Sequence, residues 1–196
     1  MAHNILLANW NDSSKAYEAF SKLKNENTLD VLQAVIIERK DDGKIEVKDG
    51  IDTTSGTNTI GGGLIGSLVG IIGGPLGVLL GFSTGALIGS VSDFDNTDQN
   101  QAVLSRISKS LPIDSTGLFI NLNEADEELA NAFFNKFDAV LLRWDFDTVS
   151  TEVEASVEAW EEAQRVANET LHEQKKEENK AKRQKKWQDF KAKFHH

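Results

Sequence analysis

The residues able to do chemistry are few, and their spacing does not form a site. The chain has no cysteine and four histidines, which are His3, His172, His195 and His196. None of these histidines lies close in sequence to carboxylates at the spacing that zinc sites use. Neither a GxSxG nucleophile turn nor a phosphate-binding GK[ST] loop is present. We therefore expect no catalytic residue, no metal site and no cofactor.

Two further patterns have simpler structural explanations. Asp93, Asp95 and Asp98 are spaced as in a calcium-binding loop, but neither the glycine nor the final glutamate of that motif follows. The glycines within residues 61–66 fit the dinucleotide-binding pattern GxGxxG. That pattern requires a strand directly before it, whereas residues 53–59 (TTSGTNT) are typical of a linker. We expect the aspartates to be solvated or to cap a helix, and we expect no nucleotide to bind.

The charge of the chain is unevenly distributed. Residues 175–193 hold nine Lys or Arg and three acids, whereas residues 1–174 hold 12 basic and 28 acidic groups. An acidic body is unsuited to binding nucleic acid, because phosphates have to be neutralised by basic side chains. The lack of cysteine suits a reducing cytoplasm, and residues 1–10 lack the basic and apolar regions of a signal peptide. We expect a cytoplasmic body with no nucleic-acid partner.

An uncharged, glycine-rich block interrupts this otherwise charged sequence. Residues 53–92 contain no charged side chain and hold 12 of the 15 glycines. Glycines recur there at every fourth residue in two runs, each of which is a glycine zipper. The two runs are Gly62, Gly66, Gly70 and Gly74, and then Gly77, Gly81, Gly85 and Gly89. A stripe of this kind allows two helix backbones to approach closely.

The block is predicted to form a helical hairpin. A single helix over residues 60–91 would be about 48 Å long, which exceeds the roughly 30 Å hydrocarbon core of a bilayer. Gly73, Gly74 and Pro75 provide a break at its midpoint, since proline removes a donor and disfavours helix before it. Each glycine costs a helix about 1 kcal/mol relative to alanine, so the arms need compensation. Insertion into lipid provides it, and so does a buried seam in a soluble oligomer.

The C-terminal end combines aromatic and basic residues at helical spacing. Trp187, Phe190 and Phe194 lie at positions i, i+3 and i+7. The cations around them include Lys182, Arg183, Lys185 and Lys186. Aromatic residues on one face with lysines around them are typical of a helix that lies on an anionic membrane surface. Alternatively, the cations can pair with the acidic first half of the same helix in a neighbouring copy.

Five strands are predicted from runs of β-branched and apolar residues that are bounded by turn signals. Their residues are 5–10, 31–39, 44–48, 117–122 and 139–146. Asp42 and Gly43 separate the second and third strands and form one of the strongest short turn signals. These two strands are therefore expected to form a hairpin.

Helices are predicted between and after these strands. The first follows the candidate N-cap Asp12, a second ends before Pro112, and a third spans residues 125–137. Residues 148–196 contain no proline and are rich in Ala, Glu, Lys and Gln, which predicts a long charged helix. Apolar residues at spacings of three and four in its first half, up to Leu171, indicate an imperfect coiled-coil seam.

The order of these elements predicts an α+β fold. Without the middle of the chain, the order is βαβ followed by βαβ, as in a ferredoxin-like sandwich. The expected segments are the first half with the hairpin strand, the inserted glycine-zipper hairpin, a helix with the second half, and the charged C-terminal helix. They correspond to residues 1–52, 53–92, 93–147 and 148–196. If one sheet contains strands from both sides of the hairpin, both flanks lie on the same side of a membrane.

Several stretches carry a resemblance to a known family. They are the opening strand ILLANW, the hairpin VIIERKDDGKIEVKD, the block GGGLIGSLVGIIGGPLGVLLGFSTGALIGSVSD and the late strand TGLFINLNE. In these stretches, within about residues 3–146, the sequence resembles the bacterial family of predicted membrane proteins called domain of unknown function 1269. The resemblance implies membrane association and supplies no catalytic residues.

These observations predict a non-enzymatic protein at the cytoplasmic face of the cell membrane that self-associates through the glycine-zipper hairpin. Its expected partners are copies of itself and the lipid bilayer. The alternative is a soluble homo-oligomeric cage or filament in the cytoplasm, with the hairpin as its buried seam. A third interpretation, ligand sensing by the sheet, rests on analogy with other ferredoxin-like modules.

Overall fold

The computed structural model describes residues 1–53, 63–74 and 102–193, and for residues 188–193 only the backbone. Within these ranges the strands are β1 (Ala2–Trp10), β2 (Asp30–Arg39), β3 (Ile45–Asp52), β4 (Ser115–Glu124) and β5 (Val140–Asp145). The helices are α1 (Ser13–Leu23), α2 (Gly63–Gly73), α3 (Val103–Lys109), α4 (Glu127–Asn135) and α5 (Phe146–Lys193). The five predicted strands and the long C-terminal helix are thus all present.

The five strands form one antiparallel sheet in the order β3-β2-β4-β1-β5. The central strand β4 pairs with β1 on one side and β2 on the other, so that Ile120 lies opposite both Leu6 and Ala34. The units β1-α1-β2 and β4-α4-β5 are therefore interleaved, each enclosing one strand of the other. The α+β class is confirmed, whereas the assignment to the ferredoxin-like fold stays a prediction.

Helices α1 and α4 supply the core on one face of the sheet. Each begins at an aspartate whose carboxylate accepts an N–H of the first turn, Asp12 from Ser14 at 2.9 Å and Asp126 from Glu128 at 3.0 Å. Their apolar side chains pack with alternate residues of the strands. The larger members of this core are Leu6, Trp10, Phe20, Leu23, Ile36, Leu118, Ile120, Leu122, Phe133 and Phe134.

The glycine-rich helix α2 contacts β2, β3 and β4, and it also contacts α3. Its large side chains are buried: Ile65, Leu68, Val69, Ile71 and Ile72. Burying each such side chain contributes about 1.5–3 kcal/mol, whereas each interior glycine costs about 1 kcal/mol. The sheet therefore gives α2 the compensation that the sequence interpretation assigned to lipid or to an oligomer seam.

Residues 63–73 are consequently not a separate structural object, although the sequence interpretation separated the whole block 53–92 from the body. The uncharged composition was informative about burial but did not identify the surface that buries the helix. Gly73 is the last residue of α2, as expected for a break near this point. Pro75 and the rest of the predicted hairpin lie outside the described residues.

Helix α3 is held at both ends by side chains from other elements. At its start, the Glu152 carboxylate of α5 accepts the N–H groups of Val103 (2.7 Å) and Leu104 (3.0 Å). At its end, Arg39 Nη1 of β2 donates to the carbonyl of Ser108 (2.8 Å), and burial lowers the pKa of this arginine. Since Ala102 at the N-cap position makes no side-chain cap hydrogen bond, Glu152 satisfies these N–H groups from a distant part of the chain.

The chain divides into two compact units, residues 1–156 and residues 157–196. Helix α5 begins in the first unit, where Val149 and Val153 are buried. In the second unit every described side chain from residue 161 to residue 187 is exposed. The second unit is thus a charged helix without a hydrophobic core of its own.

Candidate interaction surfaces

Small residues occupy the outer side of α2. Gly70 and Ser67 are exposed, and Gly66 and Gly74 are partly exposed, while the large side chains of the same helix point inward. We call Gly66, Ser67, Gly70 and Gly74 the glycine face. It contains three of the four glycines of the first predicted zipper. Gly62 and the second run, Gly77, Gly81, Gly85 and Gly89, lie outside the described residues.

Contacts within the protein explain some of these glycines. Gly63 has a φ of +67°, which L side chains rarely adopt, and it lies against the Gln33 side chain. At Gly73 an added Cβ would lie 2.7 Å from the Cβ of Ile45, and at Gly74 it would collide with the carbonyl oxygen of Gly70. In these places a larger residue would clash with the fold itself.

Gly70 differs from these glycines. An added Cβ would meet no atom within 4 Å among the described residues, and the backbone is helical on both sides of it. A glycine in an exposed helix interior costs about 1 kcal/mol relative to alanine. Close approach of another helix backbone is a benefit that can offset this cost. The glycine face is therefore a candidate contact for a second helix.

Helix α2 is too short and too well covered to be a lipid-facing span. At about 1.5 Å per residue its 11 residues extend about 16 Å, roughly half of a hydrocarbon core. In the part of the chain that the structure describes, no helix has both the length and the apolar composition needed to cross a bilayer. The large side chains of α2 contact protein.

The predicted basic site is fully exposed on α5. Lys182, Arg183, Lys185 and Lys186 are all exposed, and Trp187 is 58% exposed. The shortest ion-pair distance at these four cations is 3.8 Å, from Lys182 to Glu178, among the described side chains. The helix backbone continues to Lys193, so it includes Phe190, while Phe194 lies beyond the described residues.

Two glutamates in the acidic half of the same helix pair with one arginine. Arg165 bridges Glu162 at 2.7 Å and Glu169 at 2.8 Å, one turn away on either side. The hydrogen bond from Arg165 lowers the pKa of Glu162, and the pKa of Arg165 is raised in turn. Such pairs stabilise an exposed helix by a few tenths of a kcal/mol each. Among the described side chains, the ion pair of Lys182 with Glu178 is longer, at 3.8 Å.

A cleft of about 350 Å³ lies where β1 ends, beside Trp10, Lys15, Asp138 and Val140. Lys15 Nζ lies 2.5 Å from Asp138 Oδ2, and this hydrogen bond raises the pKa of the lysine and lowers that of the aspartate. The Trp10 indole donates to the Phe137 carbonyl at 2.9 Å. The polar groups of this cleft thus join neighbouring elements, and they contain no paired nucleophile and base.

The two histidines that the structure describes belong to different units of the chain. His3 Nε2 is 2.6 Å from Asn121 Oδ1, and its ring stacks on Phe146 with the centroids 3.6 Å apart. His172 is exposed on the second unit. Among the described residues, no three His, Cys, Asp or Glu side chains converge as a metal site. The contacts of His3 are those of a packed structural residue.

A comparison with known protein families finds a match that includes most of the glycine-rich block. A family model described as "Protein of unknown function (DUF1269)" matches residues 59–177, more than half of the chain. The match begins at the glycine block and continues into α5, so it starts later and ends later than the resemblance seen in the sequence. No curated protein and no solved structure matches the chain. On the strength of the family match, the chain belongs to the DUF1269 family of proteins of unknown function.

Proposed function

We propose that this protein is a non-enzymatic interaction protein that self-associates through the glycine face of α2 at the cytoplasmic face of the membrane. The observation that supports the proposal is Gly70. It lies in the interior of an exposed helix surface, and contacts within the described chain do not require a glycine there. A second helix backbone packed on this surface would make the glycine favourable.

The division of α2 into two sides supports the same proposal. Its inner side is already saturated, because Ile65, Leu68 and Ile72 are at most 2% exposed. A partner can therefore add to α2 on its outer side without disturbing the sheet. The glycine face has no charge, which favours a close and largely apolar contact.

A second copy of the chain is the proposed partner, since each copy presents the same glycine face. Two such faces can pack on each other in an isologous contact, the commonest kind in homo-oligomers. The uncharged sequence that continues to residue 92 supports a membrane location. The competing version is a soluble cage or filament in which the same glycine contact is buried between protein surfaces.

Sedimentation velocity of the full chain in detergent-free buffer tests the self-association. Gly70→Leu places a bulky side chain on the glycine face, where an added Cβ meets no atom within 4 Å among the described residues, so we expect the fold to be kept and the oligomer to dissociate. Ala132→Leu adds bulk at an exposed position of α4 and is the matched control. Circular dichroism of both variants verifies the fold. An oligomer that persists unchanged in folded Gly70→Leu would rule out this contact.

Flotation with vesicles distinguishes the membrane-bound protein from the soluble cage or filament. A protein in the membrane setting floats with phosphatidylcholine vesicles in high salt, because apolar insertion does not depend on charge attraction. The soluble version remains as a discrete particle that ignores vesicles. Deletion of residues 60–91 is unsuited to this question, since it would remove the five buried side chains of α2 from the core.

A further inference from the structure

The second unit carries a concentrated positive charge that the rest of the chain lacks. Residues 175–193, the basic segment, carry a net charge of +6, while residues 1–174 carry −16. The described side chains of the basic segment are all exposed. A helix with this charge and no core of its own is a candidate for binding an anionic surface.

The spacing of residues gives the basic segment an aromatic face with cations on it. Lys180, Arg183 and Trp187 follow one another at spacings of three and four, so they share one side of the helix. Phe190 and Phe194 continue the same spacing in the sequence. Trp187 is amphipathic and 58% exposed, and such side chains are favoured at the boundary between headgroups and acyl chains.

The acidic first half of the helix is the other conceivable partner of these cations, in a second copy of the chain. There, however, Glu162 and Glu169 are already paired with Arg165 within their own helix. A contact with another charged helix would also leave the aromatic residues without an apolar environment. A lipid surface can bind both the cations and the aromatic residues, since it offers negative headgroups above an apolar layer.

We propose that the basic segment binds an anionic lipid surface, with Trp187 toward the acyl chains and the cations among the headgroups. This contact rests on the proposed membrane location but not on the glycine face. It is electrostatic, so it responds to lipid charge and to salt. It would hold the second unit of the chain against the bilayer.

Vesicle sedimentation of the full chain tests this contact, with phosphatidylcholine vesicles compared with vesicles that also contain phosphatidylglycerol. Lys180→Gln/Arg183→Gln removes two exposed cations that share the side of the helix with Trp187. Each is expected to weaken binding to the anionic vesicles about fivefold, so that the pair weakens it about 25-fold. Lys22→Gln/Lys136→Gln removes two exposed cations of the first unit and is the control with the same net charge. We expect the control to bind like the unaltered protein.

Salt and the aromatic residue provide two further readouts. Raising the ionic strength from about 0.1 M to about 1 M shortens the Debye length from about 10 Å to about 3 Å and should abolish the charge-dependent part of the binding. Trp187→Ala should weaken binding to the same anionic vesicles, and Trp187→Phe should largely restore it. If Trp187 served only to stabilise the helix, Trp187→Ala would also change the circular dichroism. Weaker vesicle binding with unchanged circular dichroism, restored in Trp187→Phe, would therefore indicate a contact with lipid.

The outcomes distinguish this proposal from self-association through α2. Loss of anionic vesicle binding in Lys180→Gln/Arg183→Gln, with an unchanged oligomer, supports the lipid contact. Equal binding of this variant and its control overturns it. A smaller oligomer in Lys180→Gln/Arg183→Gln, without any dependence on lipid charge, also overturns it, and would mean that the segment pairs with another copy. The proposal of self-association through the glycine face is tested separately, because it fails if the Gly70→Leu oligomer keeps its size.

Discussion

Two helices of this protein are stabilised in opposite ways. Helix α2 is uncharged and rich in glycine, and it is held by five large side chains that are buried against the sheet and its neighbours. The part of α5 within residues 157–193 is rich in helix-forming charged residues, and its described side chains are almost all exposed. The first helix depends on tertiary burial, and the second depends on local propensity and ion pairs such as Arg165–Glu162.

This difference indicates how each surface can bind a partner. Helix α2 offers a rigid, uncharged face on which a backbone can lie close, because its inner side is fixed by the core. The second unit offers charge on a helix whose side chains from residue 161 to residue 187 are exposed. A close contact between proteins suits the former, and a salt-dependent contact with a charged surface suits the latter.

The largest contrast is expected between two leucines. Leu68→Ala removes a fully buried side chain of α2 and should lower the free energy of unfolding by about 2–5 kcal/mol. Leu171→Ala removes an exposed side chain of α5 and should change it by less than about 0.5 kcal/mol. Urea unfolding followed by circular dichroism measures both. A comparable loss at Leu171 would mean that the second unit has a core after all.

Within α5 the same contrast should appear between two valines. Val153 is buried in the first unit, whereas Val166 is exposed in the second. Val153→Ala should destabilise the protein by about 1–3 kcal/mol, from the lost burial and the cavity that remains. Val166→Ala is the control and should be nearly neutral in thermal unfolding. If both variants melt alike, the boundary between the two units near residue 156 does not separate buried from exposed helix.

Two glycines of α2 sharpen the comparison further. Gly73→Ala brings a Cβ against Ile45 and should cost about 1–3 kcal/mol. At Gly70 an alanine Cβ meets no atom within 4 Å in the described part of the chain, so Gly70→Ala should stabilise the dissociated chain by about 1 kcal/mol while it weakens the oligomer. Denaturation at low protein concentration gives the first quantity, and sedimentation gives the second. Stabilisation of the oligomer by Gly70→Ala would contradict a close helix contact.

The smallest expected effect is electrostatic. Hydrogen bonds from Lys40, Lys48 and Tyr17 hold the pKa of Glu38 at about 2, well below its usual range. Because this pKa is lower in the folded state, the contacts of the Glu38 carboxylate stabilise the protein fully above about pH 4.5. This stabilisation is lost as the pH falls toward 2. At this surface site the contribution is about 1 kcal/mol or less.

Glu38→Gln tests the contribution of the Glu38 carboxylate through the dependence of stability on pH. The variant should unfold more easily than the unaltered protein at pH 7, and the difference should shrink as the pH falls. Glu162→Gln in the second unit is the control, since that carboxylate belongs to an exposed pair within one helix. A difference for Glu38→Gln that stays constant down to pH 2 would show that the loss comes from packing and not from charge.

The sequence was sufficient to place the elements of the sheet, because alternation and turn signals are local. Asp12 was predicted as an N-cap and caps α1, and the strand after Asp42-Gly43 pairs with β2 as expected. The position of α2 could not be predicted, since an uncharged amphipathic helix fits a sheet, a bilayer or another helix equally well. The role of Glu152 in capping α3 was missed because the two lie almost 50 residues apart.

The interaction surfaces could be predicted only in part. The spacing of four residues places Gly66 and Gly70 on one side of α2, and their role in helix packing stays a prediction. It could not separate Gly70 from Gly73, because the difference lies in Ile45 of a distant strand. Composition revealed the charge of the basic segment, but exposure of its side chains became evident only from the fold.

Disulfide trapping at Gly70 tests the central contact most directly, because the chain contains no cysteine of its own. Gly70→Cys introduces a single thiol on the glycine face, and Ala132→Cys introduces one at an exposed position of α4 as the control. If two glycine faces pack on each other, mild oxidation should link Gly70→Cys into covalent dimers much faster than Ala132→Cys. Equal or slower linkage at Gly70, in a protein that still forms its oligomer, would contradict self-association through this face.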